Sequence, residues 1–171
     1  MYCSLVLLCF FANIVQGQIN HQVTFSSKLQ ISEETLGDGE VYTRLFMTGL
    51  QQTDSVGYPA LPVKYVKLLI PANAKVKNVV INTVKKQKMQ LKHCIKPLQK
   101  PVPISQSNRK QDFVKPDKKR YGSNQPYPAN LVKIVEDGYF REDHIVTLAV
   151  YPCQYSPKKN QLKKYESINF T

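Results

Sequence analysis

His93 and Cys94 stand side by side, the base and thiol from which nucleophilic catalysis is built. Glu136, Asp137, Glu142 and Asp143 crowd around His144, enough carboxylate to suggest acid–base work or a calcium site. Neither spacing suits that chemistry. Met89, Leu91, His93 and Ile95 alternate with Lys88, Lys92 and Lys96 in the manner of a half-buried strand. On a strand, neighbouring side chains point to opposite faces, so His93 and Cys94 are poorly placed to share a proton. The four carboxylates lack the close alternating spacing of a calcium loop, and a turn at Asp137-Gly138 accounts for them. There is no Cys/His spacing for zinc and no glycine-rich phosphate loop. The sequence therefore predicts no catalytic residue, no metal and no cofactor.

Charge is the next source of chemistry. The formal net charge of +12 is confined to residues 75–120, where fourteen basic side chains face only Asp112 and Asp117. Such a block reads as a solvated face, as a steering surface for an acidic protein, or as a binder of phosphate backbones. The last reading is disfavoured: Phe113 is the block's only aromatic residue, and no nucleic-acid-binding motif accompanies it. Nucleic acid is thus not expected as a partner.

These residues must be carried by strands. Pro and Gly punctuate the chain, Trp is absent, and no stretch of a dozen residues shows a helical stripe. Strands are expected near Val23 and Phe25, over residues 41–47, 63–70, 75–84, 85–95, 131–135, 145–151 and 162–170. Residues 26–39 read as acidic turn material, and Ser156-Pro157 as a turn. Residues 97–128 hold six prolines among Ser, Gln, Asn and Lys without a core pattern, the mark of a long basic loop. The fold class expected is all-β, an antiparallel β-sandwich of jelly-roll type with that loop attached.

The N-terminus forms a separate unit. Residues 5–12 are an apolar run too short to span a bilayer, and Val15-Gln16-Gly17 offers the small residues a signal peptidase reads. Residues 1–17 are expected to be a signal peptide, although no Lys or Arg precedes the run, and residues 18–171 the exported domain. Export to the periplasm, extracellular space or cell surface would leave Cys94 and Cys153. They are open to disulfide pairing in an oxidising compartment and equally to remaining as two buried thiols.

Three phrases carry a family resemblance. Gly57-Tyr58-Pro59-Ala60-Leu61-Pro62-Val63 runs on to Ile70-Pro71-Ala72-Asn73-Ala74. Tyr127-Pro128 is followed by Gly138-Tyr139-Phe140-Arg141, and Val150-Tyr151-Pro152-Cys153-Gln154-Tyr155-Ser156-Pro157 by Leu162 and Tyr165. In this order they resemble the N-terminal pro-domain of gingipain-type cysteine peptidases, over roughly residues 40–170. The chain departs from the pattern in its lysine-rich loop and in Glu142, where a small residue is usual.

The resemblance implies a non-catalytic pro-region. Its role would be intramolecular chaperone and latency inhibitor of a secreted peptidase that cleaves after Arg or Lys, with that catalytic domain, in cis or in trans, as partner. A basic side chain of the loop would then fill the peptidase's acidic pocket, and Arg109 and Arg120 are the candidates because the guanidinium fork pairs bidentately with carboxylate. The competing expectation is an exported adhesion or assembly module that binds another surface protein or an anionic polymer.

Overall fold

The computed structural model describes Gly17, residues 19–103 and residues 112–171. Its strands are β1 (His21–Thr24), β2 (Gln30–Thr35), β3 (Val41–Phe46), β4 (Gln51–Gln52), β5 (Pro62–Ile70), β6 (Ile81–Gln90), β7 (Val132–Phe140), β8 (Asp143–Val150), β9 (Cys153–Ser156) and β10 (Gln161–Phe170). One helical turn, α1 (Lys118–Tyr121), precedes β7, and a 3-10 turn (Pro157–Lys159) joins β9 to β10.

Every strand pair is antiparallel. One sheet is centred on β10, with β6 along one edge and β1 and β9 sharing the other. A second runs β4-β5-β8-β7, and β2 pairs with β3 as a separate hairpin. Leu148 and Val150 of β8 join Leu162 and Ile168 of β10, Leu45 of β3 and Ile95 in one continuous core, every one of them at most 2% exposed. This is the β-sandwich expected from short strands separated by Pro and Gly turns. Burying such side chains is worth about 1.5–3 kcal/mol each.

Three boundaries and the state of the cysteines differ from the sequence expectation. β2 occupies the stretch read as turn material; its side chains are nearly all exposed, so it is held by its ladder to β3 and leaves no apolar signature. The two strands expected over 75–84 and 85–95 are replaced by a single one, β6 (Ile81–Gln90), and residues 75–80 and 91–95 lie outside it. Its ladder opposes β10, and two backbone hydrogen bonds between Val80 and Thr171 extend it by one pair.

β7 runs straight through Asp137-Gly138, and the turn lies at Arg141-Glu142, with Arg141 at φ 57°. Local turn preference loses here to a longer ladder that keeps Gly138 opposite Ile145 and buries His144. Finally, Cys94 and Cys153 are both free: Cys94 is exposed beyond β6 and Cys153 is wholly buried on β9. The disulfide alternative is therefore not realised, and only one of the two thiols is buried.

Candidate functional site

The long basic loop leaves the sandwich from a closed stem. Gly57, at φ +81°, turns the chain so that its N–H donates to the Leu98 carbonyl at 2.8 Å, and the Leu98 N–H donates to the Tyr58 carbonyl at 2.8 Å. The Gly57 carbonyl accepts from the Asp117 N–H at 3.0 Å, tying in the loop's return. Gln99 closes the stem: its Oε1 accepts from the Val114 N–H at 2.9 Å, and its Nε2 donates to the Val114 carbonyl at 3.1 Å. One amide thus satisfies both backbone groups of the facing residue, as a ladder partner would. Nothing in the sequence singles out Gln99, one of several polar residues in a proline-rich stretch.

Asp117 caps α1 by accepting from the Arg120 N–H at 2.7 Å. α1 in turn is pinned by Tyr121, whose hydroxyl donates to the Ile95 carbonyl at 2.6 Å. Burial holds the Tyr121 hydroxyl well above the usual phenol range, so it remains a donor. Arg120 turns back onto the sandwich, its guanidinium carbon 5.2 Å from the centre of the Tyr58 ring and 5.1 Å from that of Tyr127. Those two rings meet edge to face at 5.6 Å. The Arg120 Nε is buried with no hydrogen-bond partner among the described residues. Arg109, the other candidate, lies outside the described residues.

The three resembling phrases converge on this stem. Tyr58 belongs to the first, Tyr127 to the second, and Tyr127 exchanges two 2.7 Å backbone hydrogen bonds with Tyr155 of the third. Tyr155 is fully buried, and its hydroxyl donates to Asn160 Oδ1 at 2.6 Å.

Elsewhere the residues that invited catalytic readings have ordinary partners. His93 Nε2 lies 3.6 Å from Glu33, and the His93 backbone carbonyl accepts the Thr43 hydroxyl. Lys96 pairs with both oxygens of Glu34 at 3.0 and 3.1 Å, so residues 92–96 are strapped onto the β2–β3 hairpin. His144 Nε2 sits 2.6 Å from Asp137, with the Tyr139 ring stacked at 4.4 Å, and Glu136 accepts the Thr147 hydroxyl at 3.2 Å. Among the described residues no three His, Cys, Asp or Glu side chains gather into a metal-sized cluster. Burial pushes the Cys153 thiol up to about 12, outweighing the nearby Lys164.

The family model Propeptide_C25 matches residues 15–171. The chain belongs to the Propeptide_C25 family. It is a pro-region rather than a catalytic domain, as the gingipain resemblance implied. No curated protein matches the chain. Among solved structures it is similar to the complex of Porphyromonas gingivalis RgpB pro- and mature domains, with a TM-score of 0.71 and 18% identity over 92% of this chain and 80% of that one. It is also similar to a gingipain K structure from Porphyromonas gingivalis concerned with zymogenic latency, with a TM-score of 0.69 and 22% identity over 89% of this chain and 85% of that one. At these identities the likeness is one of fold. No helix among the described residues is long and apolar enough to cross a membrane.

Proposed function

We propose that this pro-region is an intramolecular chaperone and latency inhibitor of a secreted cysteine peptidase specific for Arg or Lys, acting on its catalytic domain in cis or in trans. The observation that carries the reading is the Gln99–Val114 clamp. It joins residues 99 and 114, so the basic stretch begins and ends at one fixed place on the sandwich. A cleft-covering segment needs that arrangement, because ordering a free loop on binding costs affinity.

Within the loop, Arg109 is the residue proposed to occupy the acidic specificity pocket. Arg120 has the second role of anchoring the returning stem between Tyr58 and Tyr127. Export through a leader ending at Gly17 belongs to the same proposal, since a latent secreted peptidase requires it. The two arginines separate in one experiment, inhibition of a cognate peptidase by the chain supplied in trans. Arg109→Ala is expected to weaken inhibition more than tenfold with an unchanged melting temperature, and Arg120→Ala to lower the melting temperature as well. If both variants inhibit as well as the parent, the loop assignment is wrong; if the parent does not inhibit at all, the latency reading is wrong.

A further inference from the structure

β6 is the open edge of the β10-centred sheet, and lysine on an edge strand is a common defence against edge-to-edge pairing. That explanation does not reach β10, which lies between partners. In the register of the two strands Lys163 of β10 stands directly opposite Lys88 of β6, and Lys86, two residues along β6, shares their face. Like charges directly opposed across a ladder destabilise it, and edge protection does not require them.

The same face continues past the opposed pair Gln90 and Gln161. The Gln90 side chain donates to the Lys159 carbonyl at 2.9 Å, which places the 3-10 turn with Lys158 and Lys159 at its end. Ion pairs elsewhere neutralise Lys85, Lys92 and Lys96. Among the described residues Lys86, Lys88, Lys158, Lys159 and Lys163 have no carboxylate within 4 Å.

We infer that this face binds a sulfated or phosphorylated polysaccharide. Lys86 and Lys88 stand roughly 7 Å apart along the strand, and Lys163 faces Lys88 at ladder distance and Lys86 on the diagonal, so several anionic groups on one polymer can be met at once. Lysine serves such groups as a point charge, without the planar fork that carboxylate recognition favours. Gln161 adds an amide suited to sugar hydroxyls. Tyr165, the aromatic residue opposite Lys86 on this face, is only 3% exposed and offers nucleobases no platform. The inference stands independently of the latency reading.

The test measures binding of the chain to heparin and to a phosphorylated mannan over a salt series. The triple variant K86Q/K88Q/K163Q is compared with K64Q/K67Q, which removes two exposed lysines from the other sheet, and melting temperatures verify folding. The parent is expected to bind both polymers, and the triple variant to lose affinity about tenfold at 0.1 M salt. Its slope of log affinity against log salt should fall by about one per lysine removed, while K64Q/K67Q stays near the parent. Equal binding by the triple variant overturns the assignment, as does a parent that binds neither polymer at 50 mM salt. Single-stranded DNA bound as tightly as heparin overturns the polysaccharide class in favour of nucleic acid.

Discussion

The outward faces of the two sheets are opposite in kind. On the β10-centred sheet, Lys86, Lys88 and Lys163 meet across neighbouring strands without counter-charge. On the β4-β5-β8-β7 sheet, Leu69 opposes Ile145, which opposes Gly138, with Phe140 on the same face and a row of Lys67, Thr147 and Glu136 separating this apolar end from Tyr65. Leu69 is 68% exposed and Phe140 64% exposed. Both sheets contribute to the same core, so the fold does not require the difference. A charged face can hold a partner at a distance and in a salt-dependent way, whereas an apolar face has to be covered in close contact. One strand architecture therefore offers two kinds of contact, on surfaces that do not compete.

Damage to the core that the two faces share should have the largest effect. Leu148→Ala on β8 and Ile168→Ala on β10 should each cost about 2–5 kcal/mol, read from urea unfolding midpoints. Each variant should unfold in one transition by both fluorescence and circular dichroism. Two separated transitions would mean that the sheets do not share a cooperative core.

The alkaline limit comes next. In the unfolded chain the Cys153 thiol ionises near 9, whereas in the fold it is held to about 12, and burial likewise lifts Tyr151 from 10 to about 12. Below pH 9 both groups are protonated in either state and their burial is unopposed. Above it the unfolded chain loses protons that the fold retains, so stability must fall as the pH rises from about 9 toward 12. Denaturation midpoints across that range test the sign. In the same state an alkylating reagent at neutral pH should modify the exposed Cys94 and spare Cys153 until unfolding, as peptide mass spectrometry would show.

A smaller effect is expected from Arg120→Ala, which strips a guanidinium from two tyrosine rings: about 1–2 kcal/mol, seen as a lower melting temperature. Smallest of all is Leu69→Asp on the apolar face. It should change stability by no more than about 0.5 kcal/mol, because Leu69 is already largely in water. If that face is covered by the peptidase, the same variant should inhibit distinctly less well. Unchanged inhibition would leave the apolar face outside the latency contact.

Much of this protein was legible in the order of its residues. Runs of β-branched, aromatic and aliphatic residues bounded by Pro and Gly located β3, β5, β8 and β10. The basic middle third was visible as composition, and the three phrases carried the pro-domain resemblance. Their convergence through Tyr58, Tyr127 and Tyr155 on one stem was not, since they lie far apart in the chain.

Tertiary structure alone decided what depends on a distant partner. β2 exists because β3 completes its hydrogen bonds, and the β7–β8 turn moved to Arg141-Glu142 because a longer ladder outweighed Asp137-Gly138. The tertiary fold also decided that Gln99 clamps Val114, that Arg120 lies against two rings, and that Lys163 faces Lys88 across some seventy residues of chain. Periodicity records which side of a strand is dry. Which strand lies beside it, and therefore which charges and hydrogen bonds meet, is set by the packing of the whole.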